Sequence, residues 1–269
     1  MTHSIESTAT HLADLRAQSP LVHNITNYVA MDVSANALLA LGASPAMVHA
    51  VEETASFAQI SGALVLNIGT LSGPWVEGMR AAADAARAAK VPIVLDPVGV
   101  GATPYRTEVA AGLLASGVSV VRANASEVLA LAGATDSAPK GVDSSHGVDA
   151  ALEAAKEMAK KYGITVAVTG ELDAVTDGET LVRVSGGSEL MTKVTAMGCS
   201  SSAAVGAFLA SAGPERTALS ASVHALAVFK AAGTLAAAGC AGPGSFRTAF
   251  LDTLHGLNAE QLMKGAHLS

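Results

Sequence analysis

Apolar runs of strand length recur along this chain with helical patterns between them, and that alternation limits the fold more than any other feature. Ser44–Ala50, Ala63–Ile68, Val91–Leu95, Val118–Val121 and Ile164–Val168 read as buried strands. Helical patterns cover Val29–Leu41, Glu52–Ile60, Trp75–Ala89, Ser126–Ala132, Val148–Tyr162, Cys199–Ala210, Glu215–Ala238 and Phe246–Leu254. Regular alternation of this kind predicts an α/β fold, a doubly wound parallel sheet covered on both faces. From Ala174 to Val184 the pattern changes: an Asp177-Gly178 turn joins two short runs and predicts an antiparallel hairpin at the sheet edge. No linker, repeat or low-complexity tract interrupts the chain, so residues 1–269 are expected to form one domain. The polar stretch from Asp136 to Gly147 reads as a surface loop.

Half the residues are apolar, 3% are aromatic and 14% are charged. Small residues at helix–sheet contacts suit this composition. So little charge on a chain of this size leaves apolar surface to cover, which predicts an oligomer. A net charge of −7, with no basic run, argues against nucleic acid as a partner. Cys199 and Cys240 form neither a disulfide framework nor a zinc spacing. The N-terminus has no basic segment followed by an apolar one, so no signal peptide is expected and the reading is cytoplasmic. Val223 to Cys240 is apolar but carries His224 and Lys230; it reads as a buried helix, not a membrane span.

In open α/β sheets ligands bind beyond the carboxyl ends of the strands. Gly69-Thr70, Asp96-Pro97, Arg122 with Asn124, Thr169-Gly170 and the Gly198-Cys199 turn fall there. The last of these is the most specific. A β-like run from Glu189 to Val194 leads into a helix of small residues starting near Gly198, and unpaired N–H groups at such a start hold phosphate. Cys199 sits in that field. It reads either as a small buried hydrophobe or as a thiol with a lowered pKa, able to take a proton from a substrate hydroxyl.

Asp96 either fixes a turn or holds Mg²⁺ through water. Asn124 and Glu127 have capping-box spacing, which leaves room for Glu127 as a second carboxylate near a metal. Arg122 suits a nucleotide phosphate. Thr169 is a turn residue or a phosphate contact. Asn27 is a cap or reads a small heterocycle. Met47 is core by default, and His23 is given no role. Gly242-Pro-Gly-Ser-Phe246 is another loop of low specificity. The set resembles a phosphoryl-transfer site without a Walker A loop, since no G-x-x-x-x-G-K-[ST] occurs.

Ser19-Pro-Leu-Val-His-Asn-Ile-Thr-Asn27, Leu39-Ala-Leu-Gly-Ala-Ser-Pro-Ala-Met47, Gly62-Ala-Leu-Val-Leu-Asn-Ile-Gly-Thr70, Leu95-Asp-Pro-Val-Gly-Val-Gly-Ala-Thr103, Lys193-Val-Thr-Ala-Met-Gly-Cys199 and Gly242-Pro-Gly-Ser-Phe246 together resemble hydroxyethylthiazole kinase, in order and in spacing. The resemblance implies a ribokinase-like fold, a mostly parallel central sheet with helices on both faces. It implies Mg²⁺- and ATP-dependent phosphorylation of the hydroxyl of 4-methyl-5-(2-hydroxyethyl)thiazole, a thiamine salvage step. By this similarity Met47 and Ala196 line the thiazole site, with Asn27, Gly69 and Thr70 nearby. Arg122, Thr169 and Gly198 contact the nucleotide, and Asp96 and Glu127 surround the metal. Cys199 stands where most ribokinase-like enzymes carry an aspartate base. The resemblance further implies a homotrimer with the thiazole site near a subunit boundary. One departure stands out: relatives often read Thr-Gly-x-Gly-Cys where this chain has Thr195-Ala-Met-Gly-Cys199. The competing expectations are a pyrimidine-alcohol kinase of the same fold, a cysteine-nucleophile hydrolase using His23 or His224, and a thiazole-binding protein without turnover.

Overall fold

Six strands run parallel: β1 (Leu21–Ile25), β2 (Ser44–Ala46), β3 (Ala63–Asn67), β4 (Ile93–Asp96), β5 (Val120–Asn124) and β6 (Thr165–Thr169). Then β7 (Asp173–Thr176), β8 (Leu181–Gly186) and β9 (Ala266–Leu268) extend the sheet antiparallel. The spatial order is β2-β1-β3-β4-β5-β6-β7-β8-β9. This computed structural model describes residues 3–135, 137, 147–211, 213 and 216–269.

All five residues of β3 are buried, as a strand covered on both faces requires. Its side chains alternate between two cores. Val65, with Val22, Val94 and Val120, packs under α1 (Ile5–Gln18), α2 (Met31–Leu41), α8 (Met197–Ala210), α9 (Ala218–Ala237), α10 (Pro243–Gly256) and α11 (Ala259–Gly265). Leu64 and Leu66, with Ile25, Ile93 and Leu95, pack under α3 (Val51–Ile60), α4 (Gly73–Ala89), α5 (Pro104–Ala115), α6 (Ala125–Ala134) and α7 (Gly147–Tyr162). The result is the three-layer α/β/α arrangement the alternation predicts, with the Asp177-Gly178 hairpin at its antiparallel end.

The small residues of α8 let it lie close on the sheet. A Cβ added at Gly206 would come 2.7 Å from Val65 Cγ2, so a side chain there would push the helix off. Helix α9 is apolar and long enough to cross a membrane by composition, yet 83% of its most apolar stretch is buried inside the protein, as a core helix.

Several elements differ from expectation. The segment after β8 is not a strand: Glu189–Lys193 is a 3₁₀ turn in which Ser188 Oγ accepts from Leu190 N–H, and none of its residues is buried. On the side away from β7, β8 pairs with β9. Strand β2 stops at Ala46, four residues before the expected Ala50. Thr217 caps α9 through a capping box, so the helix begins at Ala218; the expected start at Glu215 lies outside the described residues. The expected loop from Asp136 to Gly147 also lies outside them, apart from Ser137 and Gly147.

Candidate active site

Parallel pairing places Asn67 at the end of β3 directly beside Asp96 at the end of β4. Asn67 Nδ2 donates to Asp96 Oδ2 at 2.7 Å, and Ser202 Oγ from α8 donates to the same oxygen at 2.8 Å. Asn67 Oδ1 accepts from Gly69 N–H at 3.0 Å and from Asn27 Nδ2 at 2.7 Å. The Asn27 amide also donates to Cys199 Sγ at 3.3 Å, while its oxygen caps Ala30 N–H. One buried polar chain thus joins Asn27, Gly69, Asp96 and Cys199. Thr70 adds its hydroxyl as acceptor for Tyr28 N–H at 3.2 Å.

Asp96 is 1% exposed, and burial pushes its carboxyl pKa up against the pull of Arg122, Ser202 and Asn67. Its Oδ1 has no hydrogen-bond partner among the described residues, and the nearest cation, Arg122 Nη1, stands 3.9 Å away. A buried acceptor without a partner is costly. This lone oxygen fits a hydrated Mg²⁺, which takes one or two carboxylates and leaves the rest of its shell to water and phosphate. Glu127 has both carboxylate oxygens engaged. Oε2 accepts from Asn124 N–H in the capping box, and Oε1 accepts from Gly99 N–H at 2.9 Å. It therefore ties the loop after β4 to α6. Among the described residues no cluster of three or more His, Cys, Asp or Glu forms a metal cage.

Cys199 is the third residue of α8, after Met197 and Gly198, so three N–H groups of the first turn converge beside it. The expectation of a lowered thiol pKa is overturned. Burial, and then the Asp96 carboxylate, push the thiol up; the donors Asn27 and Asn67 and the Arg122 charge offset this only in part. Desolvation by burial outweighs helix-start polarisation, and the Asp96 charge adds to it. Ala196 precedes the helix at φ 65°, in the left-handed region where a methyl is strained.

Arg122, Thr169 and Gly198 gather on the other side of the α8 start. They line a cavity of about 800 Å³ that also includes Gly170, Lys230 and Phe229. Arg122 Nη2 donates to Thr169 Oγ1, and Arg122 Nε is buried with no partner among the described residues. Gly198 is glycine for a reason: a Cβ there would sit 2.9 Å from Arg122 Nη1. Met47 follows β2, next to the strand that leads to Asn27, half-buried against the core. The loop at Gly242 opens α10.

Sequence reasoning did not single out Asn67, Ser202, Arg106, Asp173 or Lys230. Arg106 donates to Ile68 O at 2.6 Å, Gly69 O at 2.7 Å and Val98 O at 2.9 Å, binding the loops after β3 and β4 together. Asn67 had a signal, since it ends a buried strand as Asp96 does. The histidines a cysteine nucleophile would need are engaged elsewhere. His23 Nε2 bonds Val48 O, and His224 bonds His11 and Ser7.

The hydroxyethylthiazole kinase family model matches residues 12–260. The chain belongs to that family. It is 54% identical to hydroxyethylthiazole kinase of Rhizobium leguminosarum bv. trifolii, over 96% of either chain. It is 52% identical to that of Cereibacter sphaeroides, over 98% of this chain and 99% of the relative. Among solved structures, hydroxyethylthiazole kinase from Pyrococcus horikoshii OT3 superposes with a TM-score of 0.89 at 39% identity, covering 98% of each chain. Pyridoxal kinase from Staphylococcus aureus, at 19% identity and TM-score 0.59 over 80% of this chain and 87% of that one, shares the ribokinase-like fold. The chain is a small-molecule kinase of thiamine salvage, with ATP as the family's co-substrate.

Proposed function

We propose that the alcohol of 4-methyl-5-(2-hydroxyethyl)thiazole docks at Asn27, Gly69, Thr70, Met47 and Ala196, and that ATP enters the 800 Å³ cavity with its phosphates against Arg122, Thr169 and Gly198. The observation that carries this is the Arg122 guanidinium. It lines the cavity, approaches Asp96 and has a buried Nε without a partner among the described residues. The apolar end of the cavity, at Leu226 and Phe229, suits the base; the α8 start and Arg122 suit the phosphates.

The alcohol oxygen attacks the γ-phosphorus, the bond to the β,γ-bridging oxygen breaks, and ADP leaves. Such transfer passes through a loose transition state, so positioning and charge stabilisation dominate. Arg122 and the N–H groups of Met197, Gly198 and Cys199 carry the charge. Cys199 orients the hydroxyl. Its raised pKa leaves a small thiolate fraction at neutral pH, and that thiolate accepts the hydroxyl proton late, once the O–P bond has formed. Asp96, with Glu127 through water, would hold Mg²⁺, which would neutralise the phosphate oxygens.

A homotrimer with the thiazole site near a boundary is also part of this reading. Tyr28 and Val29, beside Asn27, are 69% and 57% exposed, an apolar pair a second copy would cover. ADP release with MgATP, measured with and without the thiazole alcohol and with mass spectrometry of the product, tests the reaction. Thiazole-dependent ADP and a phosphorylated thiazole are expected; stimulation by a pyrimidine alcohol alone would replace the substrate.

A further inference from the structure

Lys230 is an ion in the middle of an apolar helix. It is 7% exposed, on α9 between Phe229 and Ala231, which are buried. Putting a charge there is costly unless it is paired and hydrogen-bonded. Its partners all belong to one turn. Nζ donates to Gly170 O at 2.8 Å and to Glu171 O at 2.9 Å, and it lies 3.3 Å from Asp173 Oδ1. Asp173, itself 3% exposed, accepts from Gly170 N–H at 2.9 Å through the same oxygen. The other wall is tied to the same residue through its backbone carbonyl. Lys230 O accepts from Gly187 N–H at 3.1 Å, and a Cβ added at Gly187 would meet Lys230 Cδ at 3.0 Å.

An ammonium has three protons. Two carbonyls of the β6–β7 turn accept from it and the Asp173 carboxylate balances its charge, so this cation is spent largely inside the turn although it lines the cavity. We propose that Lys230, with Asp173, is a positioning residue for the nucleotide: a brace that holds the Gly170-Glu171 turn and the Gly186-Gly187 turn at a fixed spacing across the cavity. The proposal rests on the reading of that cavity as the ATP site. It assigns anion recognition to Arg122 and shape to Lys230.

The test uses the intact protein and a non-hydrolysable ATP analogue with Mg²⁺, titrated calorimetrically against wild type, Lys230→Met and the double variant Asp173→Asn/Lys230→Met. The double variant removes the lone carboxylate that the single one strands, so it separates positioning from folding; thermal unfolding is followed in parallel. Expected is a loss of analogue affinity of roughly tenfold or more in both variants, since misplacing a binding wall by about 1 Å is that damaging. The KM for the thiazole alcohol should stay within about twofold, and the double variant should recover part of the melting temperature without recovering affinity. Unchanged analogue affinity in both variants would overturn the brace. Equal weakening of nucleotide and alcohol would overturn it too, by showing general loosening. Wild type that binds no analogue would overturn the cavity assignment beneath it, a different failure.

Discussion

The two sides of the α8 start are built differently. In the proposed reading one is the nucleotide side and the other the alcohol side; on the first, β6, β7, β8 and α9 wall the cavity, and Lys230 and Asp173 there pair within the chain. On the alcohol side, Asn27, Gly69 and Thr70 sit at the ends of parallel strands, with exposed Tyr28 and Val29 next to them. Antiparallel strands joined by tight turns can fold over and make a wall; parallel strands deliver side chains only to an edge. The side proposed for the nucleotide is therefore walled within one chain. The alcohol side is rigid at its base and open at its rim.

Asp96 lies where the sides meet, and its loss should have the largest effect. Asp96→Asn is expected to lower kcat by about a thousandfold, in the range for removing a group that organises transition-state charge, while nucleotide affinity falls far less. A comparable fall in both would merge the two sides into one site. Arg122→Ala comes next. Losing a charge-assisted hydrogen bond costs about 1.5–3 kcal/mol, so the KM for ATP should rise by about ten- to a hundredfold, with that for the alcohol little changed; equal shifts would misplace Arg122.

Cys199→Ser should reduce kcat by about tenfold to a hundredfold and leave measurable turnover, because proton transfer supplies only part of the barrier. Since the wild-type thiol is pushed up, its rate should keep climbing through mildly alkaline pH, and the serine variant should lose that rise. Wild-type turnover in Cys199→Ser would remove the thiol from the chemistry.

The smallest effect concerns stability on the face of the sheet that carries α8. His11 bonds His224 Nδ1 at 2.9 Å and Phe208 O at 3.1 Å, and burial, then Arg216, depress its pKa from 6.5 to about 4. The unfolded chain binds a proton there before the folded one does. The contribution is complete above pH 6.5 and lost as pH falls towards 4, by about 3 kcal/mol at most for a shift of this size. Denaturant titration at pH 7 and pH 5 should show the loss, and His11→Gln should flatten it; an unchanged slope would clear His11.

Much of this was legible in the sequence. Four of the five apolar runs, all but Ser44–Ala50, fall on strands that end close to the expected edge, because buried parallel strands must be continuous and apolar. Strand β1 was missed because Leu-Val-His-Asn-Ile carries His23 and Asn24 in its interior, which spoils the run although both are buried. Helix α5 was missed because it opens on Pro-Tyr-Arg-Thr-Glu, a polar first turn entered through Pro104 and capped by Thr103. The 3₁₀ turn at Glu189 passed for a strand because apolar residues one turn apart and two apart look alike over five positions. Motifs pointed to Asn27, Asp96, Arg122, Thr169 and Cys199, which the fold brings together around the α8 start; nothing pointed to Arg106, Ser202 or Lys230, because their partners are backbone carbonyls or carboxylates from distant segments, and no spacing encodes that.

The polar chain through Asn27 and Asn67 has a sense of direction. Ala30 N–H can only donate, so Asn27 must turn its oxygen towards α2 and its amide hydrogens inward. Gly69 N–H fixes Asn67 in the same way, leaving its hydrogens for Asp96. Two peptide groups thus act as arrows, and each asparagine passes the arrow on. Neither amide can flip without setting hydrogen against hydrogen. One oxygen of Asp96 is therefore claimed by Asn67 and Ser202 before any ligand arrives, and the other is left buried without a donor by an order written in the backbone.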